Sequence, residues 1–93
     1  MLQTYFLIIR ATPSEKNHNR LTVPCVEAHF WVREKSAEGA MQRARFYLEQ
    51  KDWITEAIEL QPTLTSAMEY LPTETERANY REAQRFGIAM RIK

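Results

Sequence analysis

The chain holds one cysteine, two glycines and a net charge of only +1, and each scarcity excludes something. A lone cysteine closes no intrachain disulfide, so nothing points to a disulfide-stapled secreted scaffold. Gly39 and Gly87 are too few and too far apart for a glycine-rich phosphate loop. Thirteen Lys and Arg against twelve Asp and Glu leave none of the basic excess of a dedicated nucleic-acid binder. No stretch approaches the ~20 apolar residues of a membrane helix. The run Tyr5–Ile9 lacks a basic segment before it and ends at Arg10, unlike a signal peptide. The paired-cysteine spacing of zinc sites, HExxH and the serine-nucleophile elbow are all missing. These exclusions predict a cytoplasmic protein with no membrane contact, no cofactor, no metal and no catalytic activity of its own.

What is present suits one small folded domain, residues 1–93. The chain is 44% hydrophobic and 27% charged, ordinary values for a globular protein. A chain of this length buries roughly 60–65% of the surface it exposes when unfolded, enough for one modest core.

Thr4 to Ala11 is rich in β-branched and aromatic residues and predicts a strand covered in part on both faces. Thr12 to Arg20 is a long polar loop. Cys25 to Arg33 alternates: Val26, Ala28, Phe30 and Val32 on one face, Cys25, Glu27, His29, Trp31 and Arg33 on the other. Ser36 is placed to cap a helix whose stripe is Ala37, Ala40, Met41, Ala44, Tyr47 and Leu48. Lys51 and Asp52 end it. Trp53 to Leu60 predicts a third strand, with Ile54, Ile58 and Leu60 opposite Trp53, Thr55 and Ala57, an alternation that Glu56 interrupts. Pro62 is expected to break that strand, and Leu64, Met68 and Leu71 have the spacing of a short helical turn. Thr73 and Glu76 make a capping-box signature. The helix behind it carries Tyr80, Ala83 and Phe86 on one side and stops at Gly87, before a strand from Ile88 to Ile92.

The predicted order is β-β-α-β-α-β, an α+β two-layer sandwich: a four-stranded sheet with two helices on one face. In general architecture it is similar to the ferredoxin-like class, although the order departs from β-α-β-β-α-β. A short extra strand within residues 63–70 would restore that order behind an added N-terminal strand. The resemblance is architectural, and such folds host many unrelated functions.

With both helices on one side, the other side of the sheet should be polar in a monomer. Alternation instead places there Phe6, Ile8 and Arg10, then Glu27, His29, Trp31 and Arg33, then Trp53, Thr55 and Ala57, then Ala89 and Arg91. An apolar patch rimmed by arginines is larger than a monomer normally exposes. Trp, Phe and Arg are enriched at interface centres. The first expectation is therefore a homodimer through this open face, with Trp31 and Trp53 as anchors, Phe6 and Ile8 completing the apolar area, and Arg33 and Arg91 as rim. The protein would be an interaction or regulatory module. The alternative is a small-ligand sensor or enzyme with a pocket over the same face near His29. A third reading, a stacking platform for nucleic acid, lacks an RNP pattern and is disfavoured by the near-neutral charge. A simple core role for Trp53 is the bland counterpart of all three.

Cys25 and His29 invite a nucleophile–base pairing, but four residues of extended chain separate their Cα atoms by ~13 Å. Glu27 and His29, ~6–7 Å apart on one face, approach closely enough to share a proton or two ligand positions. Two ligands do not make a metal site. His18 falls in the polar loop and is expected to be solvated. Phe46 lies opposite the apolar stripe of its helix, among Gly39, Gln42 and Gln50. Either the Leu64–Leu71 segment folds over it, or it is one of the scattered exposed apolar residues of any surface, or it is a second contact point for a protein partner.

Overall fold

In the computed structural model, residues 2–18, 20–65 and 73–93 are described. The elements run β1 (Gln3–Pro13), β2 (Val26–Glu34), α1 (Ala37–Gln50), β3 (Trp53–Leu64), α2 (Glu74–Phe86) and β4 (Ile88–Ile92). The short helical turn expected around Leu64, Met68 and Leu71 falls largely on residues 66–72, outside the described residues. Leu64 itself closes β3.

The four strands form one sheet in the order β3-β1-β2-β4, and every neighbouring pair is antiparallel. β2 and β3 flank β1 and run in the same direction, so α1 is a crossover that passes over β1. Residues paired across a ladder project to the same side. Leu7 pairs Phe30, which pairs Met90. These three, with Tyr5, Ile9, Ala11, Ala28, Val32, Trp53 and Ile58, form the main core beneath Ala40, Ala44 and Leu48 of α1. Two alanines at the contact let α1 sit close on the sheet. The helix starts where Ser36 Oγ accepts from the Gly39 amide at 3.0 Å, which satisfies one of the exposed donors of its first turn.

The other face is not open. Phe6 pairs Trp31, which pairs Ala89, and this trio packs against Ala83 and Tyr80 of α2 in a second, smaller core. The two helices thus lie on opposite faces, which corrects the two-layer, ferredoxin-like expectation. The physical reason is the apolar patch itself. Trp31 and Phe6 need cover, and α2 joins strands at opposite edges of the sheet, so it is free to take the side that α1 leaves. The α+β class and the four-stranded sheet with two helices stand as expected.

β3 departs from simple alternation. Its pairing with β1 slips three times, between Phe6 and Ile8, Ile8 and Ile9, and Arg10 and Ala11. At the last slip Arg10 pairs Ala57 while Ala11 pairs Thr55, so Glu56 is an extra, unpaired residue. Such a bulge inverts the faces beyond it. Trp53, Thr55 and Ile58 therefore share the α1 side, and Ile54, Ala57 and Leu60 share the α2 side. The strand also continues through Pro62 to Leu64 rather than ending before it. Pro is tolerated because β3 is an edge strand, with no second neighbour among the described residues to receive an amide hydrogen bond.

The long loop after β1 is tied down at its start. Ser14 N and Asn17 Nδ2 both donate to the Asp52 carbonyl at 3.0 Å, and Asn17 is buried. Asp52 sits at φ 66, a left-handed position that a short polar side chain accepts more readily than most.

α2 begins where Thr73 Oγ1 accepts from the Glu76 amide at 3.1 Å. In its exposed first turn the Arg77 guanidinium hydrogen-bonds and attracts the Glu74 carboxylate, holding its pKa below the usual carboxylate value. That small contribution is present above the ordinary carboxylate pKa and is lost as pH falls through the lowered one. The helix stops at Gly87, whose φ of 88 is left-handed. A Cβ at Gly87 would also lie 3.1 Å from the Arg43 guanidinium. Gly87→Ala is expected to lower stability by about 1–2 kcal/mol, mainly through the left-handed backbone. A melting temperature unchanged from the native chain in a thermal scan would contradict this.

Candidate functional site

The α2-side face has two halves. Toward β4 it is covered: Trp31 is only 1% exposed, and Phe6 lies against it with ring centroids 5.0 Å apart. The Trp31 indole Nε1 is buried without a hydrogen-bond partner among the described residues. Toward β3 the face is bare among the described residues, because α2 packs on β4 and β2. There the pairing sets Ile8 beside Leu60, Arg10 beside Ala57 and Thr12 beside Ile54. Ile8 is half-buried, while Ile54 is 53% and Leu60 37% exposed. Charged side chains of both signs frame this strip. Arg10 Nε lies 3.9 Å from a Glu59 carboxylate oxygen. Arg10 pairs Glu27, and Ile8 pairs His29, which pairs Arg91.

His29 stands between the two halves. Its Nε2 is 3.1 Å from Glu27 Oε1, and its ring meets Phe6 edge-on at 5.7 Å. The strand places both polar groups on one face two residues apart, so the carboxylate orients the imidazole. Among the described residues no third His, Cys, Asp or Glu joins them in a metal-binding group. One surface cavity reaches Glu27, but its wall is Arg10, Cys25, Val26 and Lys93, without His29.

Of the residues singled out from the sequence, Phe6, Ile8, His29, Trp31, Arg33 and Arg91 do share one face. Trp53 does not. It packs in the α1 core, on the far side of the sheet from Trp31, because of the bulge at Glu56. Trp31 shares the face but lies under α2, so it is an intramolecular anchor. Phe46 is 60% exposed on α1 and takes no part in either core. Phe86, expected on the packed side of α2, is 63% exposed at its last turn with the Arg85 guanidinium over its ring. Alternation missed Ile54 and Leu60; the signal that pointed to them was the charged Glu56 in the middle of an otherwise regular strand.

The geometry defines a small α+β domain whose second sheet face is half covered by α2 and, among the described residues, half bare. Compared with protein-family models, curated proteins and solved structures, the chain matches none. No helix of the described residues is long and apolar enough to cross a membrane.

Proposed function

We propose that the protein is a small non-catalytic interaction module that self-associates through the bare half of its α2-side sheet face. Ile8, Ile54 and Leu60 form the centre of the contact in place of the tryptophans. The observation that carries this reading is their adjacency on two paired strands, with two of them substantially exposed. A two-fold contact brings the same patch against itself, so it is favoured by a rim carrying both charge signs. Arg10, Glu27, Glu59 and Arg91 supply such a rim. Stacking two sheets face to face at ~10 Å would bury the strip. Edge-to-edge pairing through β3 is disfavoured by its bulges and by Pro62. Phe46, on a different surface, would serve as a separate contact for a protein partner.

The test is solution mass by light scattering at two protein concentrations. A mass near twice 11.0 kDa is expected for the native chain and one near 11.0 kDa for the double variant I54E/L60E. Because both positions are exposed, the variant should keep its melting temperature when compared as a monomer. A native mass of 11.0 kDa at both concentrations would end the self-association reading. Tryptophan emission is no substitute, since both indoles are already buried within one chain.

A further inference from the structure

Arg33, expected from the sequence on the rim of a dimer, is fixed instead against the end of α2. It sits at the end of β2 with its backbone held on both sides: its amide donates to the Gly87 carbonyl at 2.9 Å, and its carbonyl accepts from Arg43 Nη1 at 3.1 Å. Its own Nη1 donates to the Gln84 carbonyl in the last turn of α2 at 3.2 Å. That bond satisfies an orphan carbonyl at the negative end of the helix. It occupies one of the five guanidinium N–H groups. Among the described residues no carboxylate pairs with Arg33.

Beside it lies a cavity of about 270 Å³, lined by Leu2, Thr4, Arg33, Leu64, Tyr80 and Gln84 together with two other uncharged residues. Tyr80 and Gln84, four apart on α2, face it from one side of the helix. The Gln84 amide is fixed by a hydrogen bond to Thr4 Oγ1. The Tyr80 hydroxyl makes no hydrogen bond to a described residue. Among the described residues Arg33 is the only charged one in the wall.

We infer that this cavity binds a small monocarboxylate with a short apolar part, its carboxylate on Arg33 and the Tyr80 hydroxyl and its carbon chain against Leu2 and Leu64. The volume lies just below the ~300 Å³ at which pockets for drug-sized ligands begin, which limits the ligand to a few carbons. A guanidinium fork matches a planar carboxylate in two hydrogen bonds. One cation with neutral donors balances a single negative charge, whereas a doubly charged phosphate would be left half compensated. The apolar share of the wall rewards a hydrocarbon tail and offers nothing to an inorganic ion.

Hexanoate is the probe, titrated into the full chain and followed by amide chemical shifts, with hexan-1-ol and inorganic phosphate as controls. Saturable shifts confined to the neighbourhood of Thr4, Arg33, Tyr80 and Gln84 are expected with hexanoate alone. Tyr80→Phe keeps the fold and the Gln84 contact, and it should weaken hexanoate about tenfold through the lost hydroxyl. Arg33→Gln should abolish the shifts. No saturable shifts, equal shifts with the alcohol, phosphate binding as tightly as hexanoate, or full affinity in Tyr80→Phe would each overturn the assignment. Because Tyr80→Phe leaves the α2 cap intact, loss of binding there separates a ligand role for the cavity from a purely structural one for Arg33.

Discussion

Trp31→Ala is expected to cost about 3–5 kcal/mol and to detach α2 from the sheet before the rest of the chain unfolds. α2 buries one residue fully, Ala83, and the second core it completes consists of Trp31, Ala83 and Ala89 with Phe6 and Tyr80 at its margin. Trp31 is by far the largest member. Removing its indole leaves a void beneath a helix whose other face is polar, and neighbouring alanines cannot collapse into it. A domain of this size has ~5–15 kcal/mol of stability in all, so the loss should lower the melting temperature by roughly 15–30 °C. Hydrogen exchange is the decisive readout. Amides of residues 74–86 should lose protection while those of α1 keep most of theirs, because α1 packs on the opposite face. Protection of α2 equal to that in the native chain would show that Trp31 is not its anchor.

The conservative replacement sharpens this result. Trp31 Nε1 is buried without a partner among the described residues, and an unsatisfied donor costs about 1–3 kcal/mol. Trp31→Phe removes that donor along with part of the ring. Its net loss should therefore be far below that of the alanine variant, about 1 kcal/mol or less.

Phe30→Ala, one residue earlier, should be as damaging in magnitude and different in kind. Phe30 is fully buried on the other face, paired with Leu7 and Met90 and set edge-on to Tyr47 of α1 at 6.1 Å. The expected loss is again about 3–5 kcal/mol. Here no single element can leave alone, since Phe30 touches the centre of the sheet and the helix that crosses it. Exchange should rise in β1, β2 and α1 together and by the same free energy as the denaturant midpoint reports. A loss under about 2 kcal/mol would mean that this core repacks more freely than its close packing implies. Two adjacent residues, 30 and 31, thus separate the two layers of the protein. The same contrast bears on function, because a dimer that depended on Trp31 directly would dissociate in Trp31→Phe while the fold held. The proposed strip around Leu60 predicts that it does not.

Much of this architecture was legible one element at a time. Ser36, Thr73 and Gly87 mark helix boundaries because a hydroxyl at an N-cap and a residue without Cβ at a left-handed C-cap act within a single turn. The alternation of β2 and β4 is equally local. Glu27, His29, Trp31 and Arg33 share a face by the pleat alone, as do Phe6, Ile8 and Arg10. The apolar excess on that face was also visible, and it marked a real packing surface. What composition and spacing left open was what covers it.

Three features belong to the tertiary structure. The bulge at Glu56 arises from pairing with β1, and it sends Trp53 to one core and Ile54 and Leu60 to the other side. Pro62 stays inside a strand because that strand lies at the edge of the sheet. α2 takes the face opposite α1 because Trp31, Phe6 and Ala89 compete for cover there. Each depends on which strands are neighbours and which surfaces remain after others are buried. Caps and pleats are decided by bonds within a few residues of one another; the side on which a helix docks is decided by the apolar area that distant segments leave exposed.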